Sequence, residues 1–224
     1  MNDTKEQFAK IYNEHLWGGE SKSGPGSDPG LLQSYLTLLA GLMKEKRIKS
    51  VVDIGCGDWA LARTVDWSSV TYLGVDVVPE LINRLNATHG TDNIRFICAD
   101  LVSDDLPHAD LCVIKDVLQH LSNDSVKLFL RNLHKYFNYA LITNDVIHKE
   151  QAGWRGLWKS TTMPVNSDIP NGGYRPLSLT EAPFNLPARR LVTIPLQFKR
   201  EVFGHPGIVY ETKEVLFWEN SIGG

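Results

Sequence analysis

Apolar residues along the chain follow two rhythms. Over the first fifty positions they recur three and four apart, at Phe8, Ile11, Tyr12 and Leu16 and again at Leu31, Leu32, Tyr35, Leu36, Leu39, Leu42 and Met43, the spacing of helices with one buried face. The first pattern stops at Trp17-Gly18-Gly19, a pair suited to ending a helix, and the Ser-, Gly- and Pro-rich stretch 20–30 reads as a loop. Asp28 and Pro29 then stand where a cap and first turn would start the second helix, which runs out into the basic stretch Lys44 to Lys49. From Ser50 the rhythm changes. Val51 to Ile54, Thr71 to Val75, Ile94 to Cys98, Leu111 to Ile114 and Ala140 to Thr143 are short, β-branched and too brief for helices, so they are predicted as strands. Helical spacing lies between them near Ala60 to Val65, Pro79 to Thr88 and Asp124 to Tyr136. This alternation predicts an α/β fold, a doubly wound and mostly parallel sheet covered on both faces. Asn144 to Ala188, broken by many Gly and Pro, reads as a long irregular segment, and its aromatics, Trp154, Trp158, Tyr174 and Phe184, argue that it is ordered. Leu191 to Phe198 and Val215 to Trp218 supply two late strands that pair as an antiparallel edge.

Composition narrows the class of partner. A chain of 224 residues is expected to form one domain, and a formal charge of -3 leaves no broad basic surface, so nucleic acid is not expected as a partner. Cys56, Cys98 and Cys112 are odd in number and sit in apolar runs, which fits reduced core thiols and a cytoplasmic setting. The N-terminus lacks an apolar signal core, and no apolar run reaches the length of a membrane span. No cluster of residues has metal-ligand spacing, so no metal is expected.

The chemistry gathers at the end of the first predicted strand. Asp53, Gly55, Gly57 and Ala60 give an acidic residue and then a Gly-x-Gly-x-x-Ala turn, a nucleotide fingerprint whose glycines allow close approach of the backbone to a ligand. Asp76 ends the next strand, where a carboxylate can accept the two hydroxyls of a ribose. Asp53 selects among nucleotides: a dinucleotide would bring its pyrophosphate against this carboxylate, whereas S-adenosylmethionine brings an ammonium, a sulfonium and no phosphate.

Residues 50 to 145 resemble the class I S-adenosylmethionine-dependent methyltransferases. Val51-Val52-Asp53-Ile54-Gly55-Cys56-Gly57 matches the first motif of that family and Gly74-Val75-Asp76 its second strand end. Ala99-Asp100-Leu101 is similar to the element that brackets adenine, and Asp116 to Leu121 to the segment that closes over the methionine part and faces the substrate. The resemblance implies a seven-stranded sheet. It also implies that Asp53, Gly55, Cys56 and Gly57 hold the amino acid end and Asp76 the ribose, that Val77, Asp100 and Leu101 form the adenine pocket, and that Lys115 and Asp116 lie over the methionine part. Lys115 departs from the pattern, in which an apolar or small residue is expected. The stretches Trp17 to Ser27, Asn171 to Leu177 and Pro183 to Pro187 further resemble a group of small bacterial methyltransferases. In that group the N-terminal segment acts as a lid, which would lay Tyr12 and Trp17 over the cofactor. The organisation expected is therefore a single domain over 1–224, with a helical lid (1–49), a cofactor-binding core (50–145), a substrate-side insertion (146–190) and C-terminal strands (191–224).

Methyl transfer from a sulfonium needs alignment and exclusion of water, with a base only where the nucleophile must lose a proton. The candidate catalytic residues are His120, Asp145 and His148, since the two histidines titrate near neutrality and all three follow predicted strands on the substrate side. Gln119, Asn144, Tyr174 and Arg175 are candidate contacts for the acceptor, expected to be a small polar molecule or a peptide; the chain is expected to be a monomer or homodimer. Three other readings keep the same motifs: an NAD(P)-dependent oxidoreductase, a nucleic acid methyltransferase, for which the sequence offers only Lys44 to Lys49 and Arg189-Arg190 as a basic surface, and a module that binds S-adenosylmethionine without turnover.

Overall fold

The computed structural model describes residues 8, 10, 14, 30, 32–154, 157–202 and 204–221. Helix α1 (Gln33–Glu45) precedes the sheet, and then follow β1 (Ser50–Ile54), β2 (Thr71–Asp76), α2 (Pro79–His89), β3 (Ile94–Cys98), β4 (Ala109–Lys115), α3 (Asn123–Tyr136), β5 (Phe137–Trp154), β6 (Leu157–Thr162), β7 (Arg189–Val202) and β8 (His205–Glu219). The strands form one sheet in the order β3-β2-β1-β4-β5-β8-β7, with β6 paired to β5 outside that path. The pairs β1–β2, β2–β3, β1–β4 and β4–β5 are parallel, while β8 runs antiparallel to both β5 and β7. The expected mostly parallel sheet with an antiparallel edge is thus present, extended by β6. The strand order reverses between β1 and β4, so the loops leaving them diverge and open a crevice at the carboxyl edge of the sheet.

Alternation along each strand divides the core. Val51, Val113, Leu141 and Val215 face one layer with Tyr35 and Leu39 of α1 and Leu81 and Leu85 of α2. Val52, Cys112, Ile114, Ile142 and Leu216 face the other with Val126, Phe129 and Leu133 of α3. Ser122 caps α3 by accepting from the Ser125 N–H at 3.2 Å. Leu177, Leu179 and Leu186, from the segment after β6, fill the second layer beside α3. Among the described residues, no helix is long and apolar enough to cross a membrane.

Three expectations change. The helix predicted near Ala60 to Val65 is only a 3-10 turn, Ala62–Thr64. The backbone turns extended at Val65, which ends it, and the Trp67 indole donates to the Ala62 carbonyl at 2.8 Å. The segment after Asn144 is not irregular at its start: β5 continues to Trp154 and turns back through β6. Of the three thiols only Cys112 is fully buried, and Cys98 is exposed. Most of the first predicted helix, the Asp28 cap and the lid residues Tyr12 and Trp17 lie outside the described residues.

Candidate active site

The glycine corner sits at the carboxyl end of β1. Gly55 and Gly57 hold φ of 71° and 57°, a conformation costly for residues with a Cβ, and a Cβ on Gly55 would fall 2.2 Å from Val117 Cγ2. The N–H groups of Gly55 and Cys56 both donate to the Val75 carbonyl, at 2.7 and 3.1 Å, fixing the corner against β2. Asp76 accepts one backbone N–H on each oxygen, from Gly57 at 3.1 Å and Val78 at 3.2 Å, which leaves lone pairs for further donors. Burial raises its pKa, and these amides draw it back. The Ala99 N–H donates to the Asp76 carbonyl at 3.0 Å, so Asp100 and Leu101 lie beside the end of β2. The buried Asp100 carboxylate accepts the Val102 N–H at 2.9 Å, and Val77 and Leu101 are half-buried.

Asp53 lies deeper and receives the Tyr72 hydroxyl at 2.6 Å. Burial pushes its pKa up to about 6; the Tyr72 hydrogen bond and the Lys115 charge pull it down, and Asp76 pushes it up. A cleft between α1 and the corner is lined by Tyr35, Asp53, Cys56, Asp58, Val113 and Lys115 among others. Asp53 and Asp58 in its wall would repel a phosphate and attract a cation.

On the other side of the switch point, residues distant in sequence meet. Asp116, at φ 58, turns its carboxylate between Lys115 Nζ at 2.5 Å and Lys213 Nζ at 2.8 Å. Burial alone would raise its pKa, but the two lysines outweigh that and hold it at about 2. Lys213, on β8 opposite Asp145, also donates to Asp145 Oδ1 at 2.7 Å, and its pKa is raised because these two aspartates, with Glu211, overcome its burial. Asp145 Oδ2 accepts from Gln119 Nε2 at 2.9 Å and from the Tyr174 hydroxyl at 3.1 Å, while the Asp145 N–H donates to Gln119 Oε1 at 2.7 Å. Burial pushes Asp145 up to about 6 against the pull of Lys213.

Tyr174 also lies 3.1 Å from His148 Nδ1, which faces Glu211 at 3.0 Å, and Glu150 stands 3.4 Å from Nε2. Burial works against charge on His148, but Glu211 and Glu150 prevail and raise its pKa. His120 differs. Its Nδ1 lies 2.8 Å from the Gly173 carbonyl, which makes Nδ1 the donor and Nε2 the basic nitrogen, and burial lowers its pKa, so the ring is neutral at pH 7. Its ring centroid is 5.6 Å from that of Tyr174.

Gln119, His120, Asp145, His148 and Tyr174 therefore form one constellation, joined to Lys115 and Asp116. Arg175 stands apart. It is 0% exposed, and its guanidinium donates to the Leu118 and Leu121 carbonyls and to Asn123 Oδ1, each at 3.0 Å, so it ties the loop to the turn before α3 instead of presenting a charge to solvent. Asn144 is buried beside Asp145 in sequence, and its Oδ1 has no hydrogen-bond partner among the described residues. Lys213 and Glu211 were missed in the sequence. Their only signal is a charged run, Glu211 to Glu214, set between apolar strand residues, where Lys213 and Glu214 prove fully buried.

Residues 51–138 match the family model described as a methyltransferase domain. No curated protein matches the chain in sequence. Among solved structures the fold is similar to the N-methyltransferase NodS from Bradyrhizobium japonicum WM9 in complex with S-adenosyl-L-homocysteine, with TM-score 0.53 and 14% identity over 95% of this chain and 99% of that one. It is also similar to coclaurine N-methyltransferase bound to N-methylheliamine and S-adenosylhomocysteine, with TM-score 0.55 and 16% identity over 87% of this chain and 62% of that one. Against the methyltransferase domain of bacterial CtHen1 the TM-score is 0.45 at 22% identity, and the chain, matched over 51% of its own length, spans 66% of that domain. The two matches with TM-scores above 0.5 show a shared fold.

Proposed function

We propose that this chain, whose residues 51–138 match a methyltransferase domain, transfers a methyl group from S-adenosylmethionine to a nitrogen or oxygen of a small polar or peptide-sized acceptor. The observation that carries the reading is the acidic glycine corner, in which the Asp53 and Asp76 carboxylates flank Gly55 and Gly57 at the switch point of the sheet. The donor set fits the ligand. Asp53 would take the ammonium, Asp76 has acceptor capacity left for ribose hydroxyls, and Val77, Asp100 and Leu101 lie where an adenine would stack. When bound, the cofactor supplies an electrophilic methyl group on a cationic sulfur. An oxidoreductase reading needs the same turn to accept a pyrophosphate, which these carboxylates oppose.

The protein's own part is placement and proton management. Tyr174, half-buried and held by Asp145 with Gln119 behind it, is the polar group able to orient an amine or hydroxyl. His120, neutral at pH 7, is the residue suited to remove the acceptor's proton, whereas His148 faces two carboxylates and keeps its charge more firmly. A nitrogen or oxygen acceptor suits both roles.

The direct test is titration calorimetry with S-adenosylhomocysteine and with NADH on the wild type and on Asp76→Ala. We expect binding of the first ligand only, weakened about 10- to 100-fold in the variant as a charged hydrogen-bond acceptor is lost. Binding of NADH alone would remove the methyltransferase reading.

A further inference from the structure

Resting on that cofactor reading, we propose that Lys115 is the carboxylate clamp of the site, the group that pairs with the carboxylate of the methionine moiety while Asp53 pairs with its ammonium. The amino acid end of the ligand is a zwitterion. A pocket that offered only Asp53 and Asp58 would attract the ammonium and repel the carboxylate next to it. Among the described residues that line the cleft with Asp53, Lys115 is the one cation. Its side chain is 9% exposed, so an ion pair formed there is screened little by solvent.

The neighbouring charges let Lys115 change partners at low cost. Asp116 is held by two cations, Lys115 at 2.5 Å and Lys213 at 2.8 Å. When Lys115 turns to a ligand carboxylate, Lys213 still compensates Asp116, so that buried carboxylate keeps a cation. Lys213 itself cannot serve as the clamp, because its Nζ is committed to both Asp116 and Asp145 and its side chain is 2% exposed.

Three ligands isolate the contact: S-adenosylhomocysteine, its decarboxylated analogue, which keeps the amine, and methylthioadenosine, which lacks the amino acid end. In calorimetry at pH 7.5 the wild type is expected to bind the first about 10- to 100-fold more tightly than the second. Lys115→Met should close that gap to about threefold while leaving the other two affinities within about threefold of wild type, and Lys115→Arg should restore most of it. Equal wild-type affinities for the first two ligands would overturn the clamp without any variant being needed, as would a parallel loss of all three ligands in Lys115→Met. A wild type that binds none of the three refutes the cofactor reading as well, an outcome visible before any variant is made.

Discussion

Asp53→Asn should stabilise the free protein and weaken its complex with S-adenosylhomocysteine, two effects of opposite sign from one atom. Burial lifts the Asp53 pKa from its ordinary 3.8 to about 6, and the residue is 8% exposed, so solvent screening relieves little of the cost. Because the folded pKa lies above the unfolded one, the unfolded chain ionises first as pH rises. The contribution to stability present below pH 3.8 is lost between there and about 6. At about 1.36 kcal/mol per pH unit, the loss by pH 7.5 is about 3 kcal/mol. An asparagine escapes it and can still accept from Tyr72, but its amide N–H groups need partners, so we expect a net gain of about 1–2 kcal/mol, or about 2–8 °C in Tm. At pH 4.5 the wild-type carboxyl is mostly protonated in the fold, and most of the difference should disappear. Calorimetric melts at both pH values read the first effect, and ligand titration at pH 7.5 the second, expected as an affinity about 10- to 100-fold lower. A variant less stable than wild type at pH 7.5, or one stabilised equally at both pH values, would refute the reasoning.

Two further outcomes follow from the same edge of the sheet. Lys213→Met removes the shared partner of Asp116 and Asp145 and should cost about 3–5 kcal/mol in urea unfolding at pH 7; a loss below about 1 kcal/mol would mean that the lysine does not compensate those charges. Gly55→Ala meets both a left-handed φ of 71° and Val117 Cγ2 at 2.2 Å, so a loss of about 2–4 kcal/mol is expected in the same experiment, and an unchanged midpoint would show that the corner is softer than its packing implies.

The sequence made the parallel half of the sheet and the glycine corner legible because their signals are local. Val51 to Ile54 is a short β-branched run, and Asp53, Gly55 and Gly57 lie within five residues of one another. The extent of β5 was hidden because its distal half, Asn144 to Trp154, is polar and owes its strand conformation to β6 and β8 on either side, not to its own pattern. The 3-10 turn after the corner escaped prediction for a similar reason: Ala60 to Val65 has helical spacing, but the backbone turns extended at Val65 and the Trp67 indole claims the Ala62 carbonyl. Asp145, His148 and Tyr174 were identified singly, whereas Lys213, which organises the first of them, lies 68 residues further on and meets it only through the register of β8. Arg175 is expected as a contact for the acceptor from its place in the long segment 144–188; the carbonyls of Leu118 and Leu121, left open by the turn before α3, claim it instead.

The unbroken course of β5 makes this chain hard to dissect. Its first residues pair with β4 and its last with β6, while β8 accompanies it through both halves, from Tyr139 opposite Glu219 to Ala152 opposite Gly207. Excision of residues 146–154 would leave β8 with bare amides from Thr212 to Gly207, an adhesive rim liable to recruit other chains. Nor can the distal hairpin be grafted elsewhere as a cassette. Any redesign of acceptor preference must proceed by substituting side chains in place.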